Sequence, residues 1–444
     1  MTKLRFAAPV PDAGPRRRSF LTAGPLLAAS LAVPALPAHA QTGGAGWCAT
    51  WGAAPAGPPP SGSVQTYAGQ TLRLLVRSSI GGSRLRIRVS NEMGSTPLRI
   101  GRASIALRAS GAAVIQASLR GLRFGGAESV TIPARAPAVS DPLDLDLPAQ
   151  ADLAISLYLA GSVQGSTLHN AALQGSYVSP GGDYTSTVSM PVARTLASWP
   201  FLTGVDVSVA APCLVVLGDS LTDGQGSTSN ANRRWPDYLA RRLPSALGAA
   251  GRIGVVNRGI SGNSMLTDYP NALLAGHAAL ARFDRDVLAT SGVRHLIALI
   301  GINDICYSPG SNPIPVEELI AGYRQLIARA QARDITIIGA TLPPFEGFSY
   351  YTAARERVRR AVNDWMRAGA EFDALLDTEA ALRDPARPSR LLPVYDSGDH
   401  LHPNDAGYQA VADAVPLAPF VPNPVLAGER TGWPGLLAGR GTGA

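Results

Sequence analysis

A serine stands at the end of an apolar run. Leu214-Val215-Val216-Leu217 has the character of a buried strand, and Gly218-Asp219-Ser220-Leu221 follows as a tight polar turn that presents Ser220. That position is where open α/β sheets place their ligands, at the carboxyl ends of the strands. Serine alone is a weak nucleophile: attack on an acyl carbon needs a base to take its proton and donors for the oxyanion that develops. Residue types able to supply both lie downstream. Asp399 and His402 are three apart in Asp399-His400-Leu401-His402-Pro403-Asn404, a spacing that lets both side chains reach one side of a tight turn or helix start. Gly301-Ile302-Asn303-Asp304 follows the apolar run Leu296 to Ile300, and Asn257-Arg258-Gly259-Ile260-Ser261-Gly262-Asn263 follows Val255-Val256. Taken singly, each has an ordinary reading: Ser220 as a helix cap or turn serine, Gly259 as a turn, Asn303 as a loop cap. The serine does not sit in Gly-x-Ser-x-Gly, so this is not the nucleophile elbow of the α/β-hydrolases. His400, beside Asp399 and four residues after Asp396, is the rival imidazole.

In the order Ser, Gly, Asn, Asp-x-x-His, the four blocks resemble the signature of the SGNH hydrolases, the GDSL-type esterases and lipases. The resemblance covers Pro212 to Pro416. It implies a carboxylic ester hydrolase in which Ser220 is the nucleophile, His402 the general base and Asp399 the group that fixes the imidazole. It implies an oxyanion hole built from the backbone N–H groups of Ser220 and Gly259 and the side-chain amide of Asn303. Asp219 and Asp304 are expected to brace loops. Such chemistry needs no cofactor. A metal reading of Asp399, His400, His402 and Asp405 lacks a further, distant ligand set.

The elements that must position these residues fall into two patterns. From Trp47 to about Ala210 short alternating segments (Thr71 to Val76, Arg84 to Val89, Leu98 to Leu107, Ser129 to Ile132, Leu153 to Leu159) predict half-buried strands. Gly81-Gly82 predicts a hairpin turn between the first two. The region 47–210 is therefore expected to be a β-sandwich, jelly-roll-like, accessory domain. Tyr67, Tyr177, Tyr184 and Trp199 are its candidates for a sugar platform. After Pro212, apolar strands (Cys213 to Leu217, Ile253 to Val256, His295 to Ile300, Ile335 to Ala340, Ala374 to Asp377) alternate with helices (Trp235 to Leu243, Ala272 to Leu288, Val316 to Ala332, Thr352 to Ala368, Ala406 to Val415). That alternation predicts an α/β fold over 212–416, a parallel sheet covered on both faces in a flavodoxin-like three-layer arrangement. The Gly/Pro-rich stretch 417–444 reads as a tail.

The first 40 residues read as a signal peptide. Arg16-Arg17-Arg18-Ser19-Phe20-Leu21, an apolar stretch from Leu26 to Leu36 and Ala38-His39-Ala40 fit a twin-arginine type with cleavage near Ala40, hence export to the periplasm or beyond. The apolar stretch is short and broken by Pro34, which argues against a permanent membrane anchor. The formal net charge of +7 drops to +3 once the leader's five basic residues and one acid are set aside. That balance, with no basic run carrying aromatics, argues against nucleic acid. Cys48, Cys213 and Cys306 are odd in number and lack metal-ligand spacing; packing is the expected role. The leading functional expectation is an exported serine esterase acting on small-molecule or polysaccharide acyl esters, with short-chain or acetyl groups foremost. The alternatives are a lipase or arylesterase, an acyltransferase to sugar hydroxyls, and a carbohydrate-binding protein whose hydrolase half is inactive. Phe345, Phe348, Tyr350 and Tyr351, after the strand ending at Ala340, are candidates for a wall of the substrate cleft.

Overall fold

The central strand Cys213–Gly218 is buried at every residue, because a strand inside a parallel sheet is covered on both faces. Fully burying a Val or Leu side chain contributes roughly 1.5–3 kcal/mol, so this run anchors the sheet. Its neighbours are Gly254–Gly259 on one side and Val293–Leu299 on the other, followed by Thr336–Ala340 and Ala374–Leu376, all parallel. In chain order the sheet runs 2-1-3-4-5, the flavodoxin-like order, and the chain reverses direction across the sheet at the central strand. Ser220, Gly259 and Asn303 all lie at or just beyond the carboxyl ends of the three strands that meet at this switch point. The computed structural model describes residues 46–60, 62–268, 274–308, 313–369 and 371–421. The expected leader with its expected cleavage site, and the residues beyond Val421, lie outside the described residues.

Helices cover the sheet. In Val316–Gln331 the buried positions Leu319, Tyr323, Leu326, Ile327 and Ala330 form one stripe, with Glu317 and Glu318 in the first turn and Arg329 in the last, each sign favourable to the helix dipole. Trp235–Leu247 runs one turn beyond the expected stop before Pro244. Proline has no N–H for the carbonyl of Ala240, and Gln150 from the β-rich region donates its amide there instead, at 3.4 Å. The expected helix from Ala272 to Leu288 is shorter. It comprises Ala279–Phe283 and a π turn at Asp284–Leu288, because the Asn263 amide donates to the carbonyls of Ala275 and His277 and holds that stretch non-helical. His277 is thus in a loop, paired with Asp268 at 2.8 Å, and not within a helix. Among the described residues, no helix is long and apolar enough to cross a membrane.

The first half is antiparallel β structure. One sheet orders Trp47–Gly52, Leu202–Ser208, Gly82–Ser90 and Pro137–Val139, with Leu143–Leu147 also on the third. The other orders Arg194–Leu196, Ser176–Gly181, Thr66–Arg77, Asp152–Gln164, Leu98–Ser110 and Ala113–Val114. Gly81-Gly82 is not a hairpin turn. The strands on either side of it belong to different sheets, and a Cβ at Gly81 would lie 2.3 Å from the carbonyl oxygen of Leu147. The glycine permits close backbone approach, with no left-handed turn. Leu72 and Leu74 of one sheet, Ile87 and Val89 of the other and Val215 of the parallel sheet share a continuous core, and the described residues fall in one compact unit.

Two further expectations are corrected by burial. Tyr67 and Trp199 do not offer a sugar platform: both are 2% exposed, and Trp199 stacks edge-on against Trp51 while its indole N–H donates to the carbonyl of Leu75. The tail does not begin at Leu417, since Ala418–Phe420 makes a turn that buries Phe420 against His295.

Candidate active site

The residue after the central strand, Asp219, caps a short helix, Ser220–Asp223, by accepting the N–H of Leu221 on its carboxylate at 3.0 Å. This sets Ser220 as the first helical residue. Its backbone N–H has no partner within the helix, as is general for first-turn N–H groups. Gly259 permits the arrangement from the neighbouring strand: a Cβ there would lie 2.3 Å from the backbone nitrogen of Asp223. Burial raises the Asp219 carboxyl to about 7 and the Asp304 carboxyl to about 6. Asp304 accepts the N–H groups of Met265 and Leu266, and so holds the 260s loop as expected.

The opposite wall comes from the turn before the last helix. Asp399 accepts the backbone N–H groups of Leu401 and His402 on one oxygen and contacts His402 Nδ1 with the other at 2.5 Å. His402 Nε2 lies 2.8 Å from Ser220 Oγ. Burial alone would raise the Asp399 carboxyl, but the hydrogen bonds from the His402 ring and from the two backbone groups outweigh it and hold it well below the usual carboxylate range. An ionised carboxylate can only accept, so Nδ1 carries the proton and Nε2 is left as an acceptor facing the serine hydroxyl. Asn404 then caps the helix Asp405–Ala414, accepting from Ala406 and Gly407 and fixing the turn from behind.

Of the expected site residues, the structure joins Ser220, His402 and Asp399 in one hydrogen-bonded line and places Asn303 just past the end of the strand adjacent to the one before Ser220. Asn303 is 4% exposed, and its amide donates to the carbonyl of Asn263 at 2.9 Å. An amide has two such protons, so one remains for a ligand. Gly259 is not available as a donor, because its N–H goes to the side-chain oxygen of Asn257 at 2.8 Å. Gly262, three residues on, fits better: its φ is +79°, and its N–H has no acceptor among the described residues. The signal was in the sequence, as the second glycine of the same block.

The rival pairing exists but lies elsewhere. His400 Nδ1 is 2.6 Å from Asp396, its side chain is 53% exposed, and it contacts the backbone around Gly347. Asp405 binds Thr228 and Arg233. Asp399, His400, His402 and Asp405 therefore serve three separate partnerships, and no metal-ligating group of three occurs among the described residues. Cys306 is buried at the end of the short helix that carries Asn303, and burial pushes its thiol up to about 12, so it stays protonated. Of the four expected wall aromatics, Phe345 is fully buried, while the Phe348 ring meets His402 edge-on at 6.3 Å between centroids. Tyr350 touches both Phe348 and Tyr307.

Arg282, fully buried, ties the strand ends together. Its guanidinium donates to the carbonyls of Gly218 and Arg258 and to the side-chain oxygen of Asn263, with Asp286 as its counter-ion at 2.9 Å. These carbonyls belong to the strand before Ser220 and the strand before the Gly262 loop, and Asn263 is the residue whose own carbonyl holds Asn303.

Residues 216–410 match the family model of the GDSL-like lipase/acylhydrolase family. Similar solved structures include a lipolytic protein of the G-D-S-L family from Desulfitobacterium hafniense DCB-2, at 22% identity over 46% of this chain and 96% of that one, TM-score 0.35. An α/β hydrolase from the Lake Arreo metagenome has 26% identity over 47% and 96%, TM-score 0.35. An acetylxylan esterase from Geobacillus stearothermophilus has 23% identity over 46% and 91%, TM-score 0.34. No curated protein matches the chain.

Proposed function

We propose that the protein, whose residues 216–410 match the GDSL-like lipase/acylhydrolase family, is an exported serine esterase that removes short acyl groups, acetyl foremost, from polysaccharide or small-molecule esters through an acyl-enzyme. The observation that carries this reading is the unbroken line from Asp399 through His402 to the Ser220 hydroxyl. In the proposed cycle Ser220 Oγ attacks the acyl carbon while His402 Nε2 takes its proton. The carbonyl oxygen becomes an oxyanion held by the N–H groups of Ser220 and Gly262 and the free amide proton of Asn303. His402 then gives the proton to the departing alcohol, and water enters by the same steps in reverse. The Phe348 ring beside His402, with the exposed Tyr350 ring against it, favours an apolar wall for a sugar ring or an aryl group on the alcohol side.

The test is hydrolysis of p-nitrophenyl esters from acetyl to long-chain, alongside acetylated xylan with acetate release. Rates that fall with acyl length, together with acetate release, support the reading. A maximum at long chains would overturn the short-acyl part in favour of a lipase. Transfer to added sugar acceptors in place of water would overturn hydrolysis. Within this reading Asn303→Ala is expected to lower kcat by roughly 10²–10³ with KM little changed, since the lost proton serves the oxyanion and not the bound ester. A KM effect alone would remove Asn303 from the oxyanion hole.

A further inference from the structure

The β-rich region sends one imidazole into the neighbourhood of this site. His169 lies on the short strand Leu168–His169, paired with Trp199–Pro200, and is 5% exposed. Its Nδ1 is 2.9 Å from the carbonyl oxygen of Ala54 and its Nε2 is 2.9 Å from Asp223 Oδ1. A carbonyl and a carboxylate both accept, so both ring nitrogens must donate, which is the imidazolium form. Asp223 is the last residue of the helix that Ser220 begins. Its other oxygen accepts the backbone N–H of Ser261 at 2.9 Å and the Ser261 hydroxyl at 2.7 Å. Ser261 is the residue before Gly262. One carboxylate therefore joins the end of the nucleophile's helix, the loop that carries a proposed oxyanion donor and a cation from the other half of the chain.

The surroundings favour that charge. Burial by itself would lower the pKa of His169, but the Asp223 carboxylate and the two hydrogen bonds outweigh it, and the net direction is up. Arg234, packed over Trp199, opposes the imidazolium, and its own counter-ion is Asp237 at 2.8 Å. Arg77 and Asp237 complete the charged groups lining the cleft on that side. Ala56, Ile260 and Leu274 line the other, with no further charge.

We propose that His169 is a positioning residue of the esterase site, whose imidazolium fixes Asp223 and through Ser261 holds the Gly262 N–H on the oxyanion. This rests on the reading that Ser220 is the nucleophile and Gly262 an oxyanion donor. The β-rich region is then a working part of the hydrolase and not a detachable module. Because a group with a raised pKa keeps its proton below that value and loses it above, the arrangement is intact below the His169 value, which lies above that of an ordinary imidazole, and fails as pH rises through it.

The experiment uses the full chain, with steady-state kinetics on p-nitrophenyl acetate from about pH 6 to pH 10 for wild type, His169→Gln and Ser261→Ala. The wild type is expected to lose kcat on the alkaline side with KM unmoved. His169→Gln, which can still donate one amide N–H but does not titrate, is expected to have kcat lower by about tenfold at neutral pH, the scale of a slight misplacement of a catalytic donor, and no alkaline limb. Ser261→Ala removes the hydroxyl contact to Asp223 while leaving the His169–Asp223 contact and the Ser261 backbone N–H bond in place, and is expected to fall less, with the alkaline limb kept. Wild-type kcat in a folded His169→Gln, or the same alkaline limb in it, would overturn the proposal. Should that variant not fold, a flat alkaline profile in the wild type would overturn it as well. A fluorophosphonate label mapped to Ser220 reports on the nucleophile separately. No label in wild type removes the reading on which the proposal stands, whereas a labelled His169→Gln with full kcat removes the proposal alone.

Discussion

Ser220→Ala is expected to abolish ester hydrolysis, with kcat falling by on the order of 10⁶-fold, as when the nucleophile of a serine triad is removed from a unit that acts as a whole. His402→Ala should cost about as much, and the double variant little more, because the two act in one proton transfer across 2.8 Å. His400→Ala is the control with meaning. It deletes an imidazole two residues away that has its own carboxylate, Asp396, and that is half exposed. Its kcat should stay close to wild type. Thermal unfolding of each variant, compared with wild type, separates chemistry from folding. Substantial activity in Ser220→Ala, or a His400→Ala variant as dead as His402→Ala, would sink the triad as drawn.

Asp399→Asn comes next in size, with an expected loss in kcat of about 10⁴-fold. The amide can keep the two backbone hydrogen bonds to Leu401 and His402, so the turn need not change shape. What changes is the ring: an amide N–H facing Nδ1 favours the tautomer with the proton on Nε2, and that nitrogen then cannot accept from Ser220. The hydrogen bonds that lower the Asp399 carboxyl keep it ionised above its depressed value, and the contribution is lost only as pH falls through that value. Asp399 thus sets no limb of its own in mild acid, and the Asn variant should be slow at about pH 5 and about pH 8 alike. Asp396→Asn, altering the partner of His400, is the matched control with little expected effect. Equal losses in the two variants would mean that the turn as a whole, and not the Asp399–His402 pair, carries the function.

How far the sequence could be read is seen at Gly259 and Gly262. Both stand in one block after a strand, and either could place a backbone N–H on a substrate. The choice depends on where the side chain of Asn257 turns: it takes the Gly259 N–H, while that of Gly262 has no acceptor among the described residues. A side-chain rotamer has no signature in spacing. Arg282 was equally invisible. It is one arginine among many in the sequence, on a helix whose start lay later than its apolar pattern suggested, yet in the fold its donors reach two strand ends and Asn263. The aromatic wall divided for a similar reason. Phe345 and Phe348 are three apart in the same loop, and only packing sends the first into the core and the second to His402.

What the sequence determined by itself was the set of local patterns: apolar strands that can survive only between two covering layers, helices with one apolar stripe, a serine and an asparagine just past strand ends, and an aspartate three residues before a histidine. Those depend on periodicity and on neighbours along the chain. Tertiary structure decided every relation between distant residues. It set the 182-residue separation closed by His402 and Ser220, the choice of His402 over His400, and the reach of His169 to Asp223 from the other half of the chain. The physical reason is common to all three. Hydrogen-bond partners are selected by direction and burial within a few tenths of an ångström, and that selection is made only when the sheets pack.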